Sequence, residues 1–205
     1  MTVFSALGCS RALSWPILGT VEEVIRRARD GDPEALGHLW RTYQHLLLRY
    51  FRGKGMAEPE DLASTVWVEV ASGLARFVGD EPDFRRWLFT IAARRRIDDI
   101  RMVNRRADRI ERAPIDERPQ HAPSAADEAE RAGALDAAVA LVRSLPPDQA
   151  EAVLLRVVAD LSVTEVAEIM NRSEGAVRVL VHRGLKRLSE RLPVTNPDAG
   201  TMSAL

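Results

Sequence analysis

The sequence predicts an all-α protein: two small helical domains joined by a flexible Pro-rich linker, the C-terminal one containing a helix-turn-helix. Three observations carry that expectation. Apolar residues make up 46% of the chain, enough for a packed core, while aromatics at 5% and few alternating β-branched runs disfavour sheet. Within residues 21–112 and 127–192, apolar positions recur at three- and four-residue steps. From Ala113 to Ala126 that pattern stops, and Pro114, Pro119 and Pro123 stand among Ser, Gln and acidic residues, which is linker composition.

Residues 1–20 are mildly apolar, and Ala6-Leu7-Gly8-Cys9 has the look of a lipoprotein signal. However, no basic segment precedes the apolar part, Arg11 interrupts it and Trp15-Pro16 follows, so a disordered extension is expected. Val21 to Arg29 reads as a short amphipathic helix closed by Asp30-Gly31-Asp32. Asp32 caps the next helix, with Pro33 at its first position. From Glu34 to Phe51, Leu36, Leu39, Trp40, Tyr43, Leu46, Leu47 and Tyr50 share one broad face, predicting a long core helix that Gly53 to Gly55 ends. Glu58-Pro59-Glu60-Asp61 opens a third helix, running through Phe77, with its acids at the positive end of the dipole. Gly79 to Pro82 reads as a loop. Phe84 to about Ala107 is a fourth helix with Phe84, Trp87, Leu88, Ile91, Ile97 and Ile100 as apolar positions. After the linker, helix is expected from about Asp127 to Arg143 and from Asp148 to Val158, around a turn at Leu145-Pro146-Pro147-Asp148. Residues 193–205 form a Pro-, Gly- and Ser-containing tail, expected to be disordered.

Leu161 to Leu192 is the most informative stretch. Ser162 and Glu165 have the spacing of a capping box, with Leu161 and Val166 as its hydrophobic staple. Asn171 suits the left-handed residue that ends a helix, and Ser173 caps a second one. In that second helix Val177, Leu180, Val181, Leu185 and Leu188 form one apolar stripe, and most of the basic residues fall off it. Such a pair of helices can place the second one in a DNA major groove; an ordinary helical hairpin with solvated basic residues is the plainer alternative.

The net charge of −1 hides strong segregation. Between Arg85 and Arg112 there are ten arginines against Asp98, Asp99, Asp108 and Glu111, a local charge of +6. Local field decides where a polyanion docks. One cysteine excludes an internal disulfide framework, which fits a cytoplasmic protein, and no Cys/His spacing suggests a metal site. His38, His45, His121 and His182 are scattered, and there is no phosphate-binding Gly loop or nucleophile elbow. No enzyme activity and no cofactor are therefore expected. No apolar run approaches the roughly 20 residues that span a bilayer, so membrane insertion is not expected.

Taken in order, these blocks resemble the extracytoplasmic-function (ECF) group of bacterial RNA polymerase sigma factors, in the sigma-70 family. Asp30-Gly31-Asp32 with Ala35 and Tyr43 is similar to the opening of the family's region 2. Glu60-Asp61-Leu62 with Val66-Trp67 is similar to its polymerase-binding helix. Phe84 to Ala92, then Ile97-Asp98 and Arg101, is similar to its helix for promoter melting and −10 reading. Leu145-Pro146-Pro147, Leu161-Ser162 and Gly175-Ala176-Val177-Arg178 are similar to region 4, which reads the −35 element. The resemblance covers about residues 21–192, with region 2 over 21–112 and region 4 over 127–192. It implies core RNA polymerase and promoter DNA as partners, and an anti-sigma factor that masks both domains. Departures from the common pattern are Ser64 and Thr65 where Gln-Glu is usual, Arg94 where Asn is usual, and Ala176 and Val179 in place of Thr and Ser.

The residues support specific assignments. Arg178, one turn past the Ser173 cap, lies where a side chain reaches base edges; Arg172, Ser173, Arg183 and Lys186 suit phosphates, and Glu174 and His182 are further candidates. For the −10 and melting surface the candidates are Arg85, Arg86, Trp87, Arg94, Arg95, Arg96, Asp98, Arg101 and Arg105. A melted strand needs cations along its phosphates and planar groups near its bases, so Trp87 and Phe89 are candidate platforms, although Trp87 also fits a core stripe. Glu60, Asp61, Leu62, Thr65 and Val66 are candidates for polymerase binding; Asp61 can also serve simply as a cap or dipole partner. A second function class stays open: a stand-alone helix-turn-helix regulator that binds an operator as a dimer without polymerase.

Overall fold

A computed structural model of the chain describes residues 20–110 and 137–191, and every regular element among them is helical. Most of the expected N-terminal extension, the Pro-rich linker, the first part of the helix expected from Asp127, and the C-terminal tail lie outside the described residues.

Helix α1 (Val21–Arg29) starts at Thr20, whose hydroxyl accepts from the Glu23 N–H at 3.4 Å. Its acids stand in the first turn and its arginines toward the last, matching the helix dipole. Asp32 caps α2 (Pro33–Gly53), its carboxylate accepting from the N–H groups of Glu34 and Ala35 at 2.9 and 3.3 Å. The Arg27 guanidinium and these N–H groups hold the Asp32 carboxyl below the ordinary range. Gly55, at φ 69°, turns the chain toward α3 (Pro59–Gly73), which continues as a 3-10 turn at Leu74–Arg76 and stops at extended Phe77. The α3 start has no side-chain cap, so Asp61 does not cap it; Glu60 and Asp61 simply face the positive end of the dipole.

Helix α4 (Glu81–Ile110) begins within the segment expected to be a loop. Asp80 and Asp83 exchange reciprocal bonds, each carboxylate accepting the other's N–H at 3.1 and 3.3 Å, and Pro82 is tolerated in a first turn. Helices α1 to α4 pack around fully buried Tyr43, Tyr50, Phe51, Phe84 and Phe89. Tyr50 meets Phe51 and Phe89 edge-on at ring distances of 5.3 and 5.8 Å. Two core expectations are corrected. Trp40 is 47% exposed, because the apolar arc of α2 is wider than the surface its neighbours cover. Ile97 and Ile100 are both 39% exposed, because past Arg96 the helix no longer has a neighbour covering that face.

The second group comprises α5 (137–143), α6 (Pro147–Val153), α7 (Val163–Met170) and α8 (Glu174–Arg191). The helix expected to Val158 changes winding at Leu154: a π-helical turn, Leu154–Val158, buries Leu154, Leu155 and Val158. Helices α6 and α8 meet at Gly184, where an added Cβ would lie 2.7 Å from Val153 Cγ2. The two groups share one continuous core: α2 packs against the π turn and α4 against α7. At that contact an added Cβ on Gly53 would lie 2.8 Å from Leu154 Cδ2.

Candidate nucleic-acid interface

The helix-turn-helix is built by the local signals its sequence carries. Ser162 Oγ accepts from the Glu165 N–H at 3.2 Å while the Glu165 carboxylate accepts from the Ser162 N–H at 2.7 Å, and Leu161 and Val166 are buried beside them. Asn171 is left-handed at φ 50°, ψ 53°, and Ser173 Oγ accepts from the Ala176 N–H at 3.2 Å to start α8. Val177 and Leu188 are buried. Leu180 is only half-buried: it lines a shallow, mainly apolar groove with Asp148, Arg172, Gly175, Ala176 and Val179.

Arg172, Ser173, Arg178, His182, Arg183 and Lys186 are exposed, and Glu174 is partly so. Arg178 donates to Glu174 at 2.6 Å, and Thr164 Oγ1 donates to the same carboxylate at 2.8 Å. Thr164 and then Arg178 hold the Glu174 carboxyl below its ordinary range. Arg172 pairs with Asp148 at 3.0 Å.

The described arginine side chains of α4 divide into three sets. Arg94 and Arg95 both bond the Glu69 carboxylate of α3, Arg95 at 2.8 Å through Nε. Arg101, 3.8 Å from Asp98, and Arg105 are exposed near the projecting end of the helix. Arg85, Arg86 and Arg96 turn toward acids of the second group. Arg85 pairs with Asp160 at 2.9 Å as well as with Glu81, and Arg86 with Glu168 at 3.3 Å as well as Asp83. Arg96 lies 3.0 Å from Glu151 and donates to the Tyr50 hydroxyl at 3.3 Å. Burial acts to lower the pKa of Arg96, but the Tyr50 oxygen, which accepts its hydrogen bond, and the Glu151 carboxylate outweigh it and hold it above the ordinary value. Arg96 is thus a partly buried structural cation here, not an open phosphate contact.

Trp87 is half-buried and stacks on Phe77 at 5.1 Å and 22°. Phe89, also a candidate platform, is fully buried against Tyr50; two residues along the helix carry it to the opposite face from Trp87. Beside Trp87 lies an open cavity of about 420 Å³, lined by Gly73, Arg76, Phe77, Val78, Asp83 and Arg86 as well. The sequence reading missed Arg76, Phe77 and Val78. Their only signal was a cation next to an aromatic at a helix end; the contact of Gly73 with Trp87, 2.9 Å from a Cβ position to Cζ2, is tertiary.

On α3, Glu60, Asp61 and Thr65 are exposed, but Leu62 and Val66 are buried at 9% and 0% exposure. Their roles as direct polymerase contacts are corrected: they share the inward stripe with Val70, and the outward face is Glu60, Asp61, Ser64, Thr65 and Val68. Glu60 is paired with Arg52 at 2.7 Å. Among the described residues no cluster of His, Cys, Asp and Glu could hold a metal ion, and no helix is long and apolar enough to cross a membrane.

Comparison with known proteins gives these surfaces a context. Residues 38–106 match the family described as sigma-70 region 2, and residues 135–188 match sigma-70 region 4. The ECF RNA polymerase sigma factor BldN of Streptomyces coelicolor is 33% identical over 183 residues, covering 83% of this chain and 65% of BldN, so the chain spans about two thirds of that relative's length. The ECF RNA polymerase sigma factor ShbA of Streptomyces griseus is 34% identical over 175 residues, 80% of this chain and 91% of ShbA. The sigma factor RpoE of Bartonella quintana, solved with the anti-sigma factor NepR, shares the fold at a TM-score of 0.54 and 21% identity, covering 78% of this chain and 99% of that one. With both sigma-70 regions in order and a relative of this identity matched over nearly its full length, the chain belongs to the ECF sigma factors of RNA polymerase.

Proposed function

We propose that this sigma factor acts through three separate surfaces, with residues 21–112 as a region 2 domain and 127–192 as a region 4 domain joined through 113–126. The exposed face of α3, with Glu60, Asp61, Ser64, Thr65 and Val68, docks on core RNA polymerase. The basic face of α4 holds the melted −10 strand, and the cavity beside Trp87 receives an unstacked base between the Phe77–Trp87 pair and the guanidinium of Arg76 or Arg86. The exposed residues of α8 read the −35 element, Arg178 at base edges and Arg172, Arg183 and Lys186 at phosphates. The protein carries no catalysis of its own and works in the cytoplasm, where polymerase is. An anti-sigma factor is a fitting partner, since the related RpoE was solved with one.

A single observation carries this reading: one chain presents two basic surfaces of different chemistry. One is a helix-turn-helix suited to duplex; the other pairs cations with an aromatic-walled cavity suited to unstacked bases. A stand-alone operator-binding regulator has no use for the second. The test is run-off transcription with bacterial core RNA polymerase, with and without the protein, on DNA including its own upstream region. New discrete transcripts that depend on the protein are expected. Absence of transcripts together with tight operator binding by the free protein would overturn the reading in favour of the regulator.

A further inference from the structure

Helix α8 carries an apolar patch in the middle of its basic outward face. At about 3.6 residues per turn, Gly175, Val179, His182, Arg183 and Lys186 fall within about 100° of arc, opposite Val177, Gly184 and Leu188. The first five are exposed and the last three buried, which puts Val179 near the centre of that face. It is 47% exposed. A β-branched residue lowers helix propensity, and at that exposure it returns little burial, so its place there contributes little to folding. One turn earlier stands Gly175, where an added Cβ would meet no neighbouring atom within 4 Å. Ala176, three residues before Val179, adds a second small apolar side chain, and all three line one groove with Leu180. Neither Ala176 nor Val179 has a side-chain group that donates or accepts a hydrogen bond. Charge surrounds the patch: Arg178, Arg183 and Lys186 are exposed on α8, and Arg172, which also lines the groove, pairs with Asp148 at 3.0 Å.

A surface of that kind fits one feature of duplex DNA. Base edges in the major groove present hydrogen-bond donors and acceptors, and the apolar group among them is the C5 methyl of thymine. We infer that Val179, with Ala176, receives a thymine methyl of the −35 element, the open space at Gly175 letting the helix backbone come close to the base edge. Val179 is then a specificity-determining residue beside Arg178: the guanidinium selects a base by hydrogen bonds, the valine by shape and desolvation. The surrounding cations hold the duplex by its phosphates, which positions the methyl without specifying it. A cytosine at that place would turn an amine toward side chains that cannot accept from it. The inference rests on the reading of α8 as the −35 helix.

The test uses the full chain assembled with bacterial core RNA polymerase, on a promoter that run-off transcription has identified. Replacing the −35 thymines of both strands by uracil removes the C5 methyls and leaves every base pair intact. Competition binding of the holoenzyme to the two templates is compared for the parent, Val179→Ser and Lys186→Ala. Uracil should lower the parent's affinity about three- to fivefold, the effect of burying one methyl. Val179→Ser should lose about as much on thymine DNA and bind the uracil template no worse than the thymine one. Lys186→Ala should weaken binding to both templates alike. Val179 is a surface residue, so its variant keeps the fold. Equal binding of the parent to both templates, with dependence on the −35 element retained, would overturn the methyl contact alone. Uracil sensitivity that persists in Val179→Ser would overturn the role of Val179. A −35 element with no A·T pair would overturn the inference before any variant is measured. Parent binding unchanged when the −35 element is scrambled would remove α8 as its reader, and the methyl contact with it.

Discussion

Arg178 is held by Glu174, and Glu174 by Thr164 of the neighbouring helix, so the guanidinium that would read a base is oriented before DNA arrives. The ion pair is exposed on both sides and adds little to stability. Its value is positional. Arg178→Ala should weaken binding to a −35-containing duplex by about 1–3 kcal/mol and leave binding to scrambled duplex nearly unchanged, as fluorescence anisotropy on both DNAs would report. Equal loss on both would assign Arg178 to phosphate. Glu69 plays the opposite part on region 2, where it neutralises Arg94 and Arg95 together. Glu69→Gln should tighten binding to non-specific single-stranded DNA. It should also steepen the dependence of log affinity on log salt by about 0.7 for each phosphate gained. An unchanged slope would show that neither arginine meets the strand.

At the scale of the element, helices α6 and α8 are close because Gly184 has no side chain. An alanine there would place its Cβ 2.7 Å from Val153 Cγ2, with the Gln149 backbone behind, so one helix must shift. Gly184→Ala should cost about 1–3 kcal/mol in denaturant unfolding, despite alanine's better helix propensity. A stabilising result would show that the α6–α8 contact yields easily. The capping box at Ser162 is worth about 1 kcal/mol by comparison. Packing thus outweighs capping in holding the recognition helix. Within α4, full burial ends at Ala93, contacts with Glu69 and Glu151 continue through Arg96, and residues 101–105 are exposed with Arg101 and Arg105 among them. If this helix holds a strand, as proposed, Arg105 is available to it, whereas Arg85, Arg86, Arg94, Arg95 and Arg96 are each already paired with an acid.

Across the whole molecule, the two tyrosines lie on the inner side of α2 and are closed off by the packing of both groups. Desolvation first, then the Glu81 hydrogen bond, pushes the Tyr43 hydroxyl far above its usual range; desolvation and the charge of Glu151 do the same for Tyr50. Both groups keep their protons in the folded state after the unfolded chain has lost them at about pH 10. Their contribution to stability is therefore complete below pH 10 and is lost as pH rises above it. Since the chain has no other tyrosine, phenolate absorbance should stay flat past pH 10 and rise only together with loss of helix by circular dichroism. Titration of one tyrosine near pH 10 with the helices intact would instead show that Tyr50 is released when the two halves separate.

The sequence by itself determined the helices, their caps and the charged faces, because these depend on interactions within a few residues. Asp32, Ser162, Glu165, Asn171 and Ser173 act where their spacing places them. The all-α class and the arginine-rich and helix-turn-helix blocks were legible for the same reason, and the order of those blocks indicated the family. What the sequence left undecided was which face of each helix finds a neighbour. Trp40, Ile97 and Ile100 fit core stripes yet stand exposed, while Leu62 and Val66 were read as contacts and are core. The cavity between Arg76, Phe77 and Trp87 joins two helices across a turn, and no local pattern announces it. Least legible was Glu151, one acid among many, whose partners Tyr50, Lys54 and Arg96 lie far from it in the chain. Only tertiary structure brings those charges together, since the burial that makes them interact strongly exists only once the two halves have met.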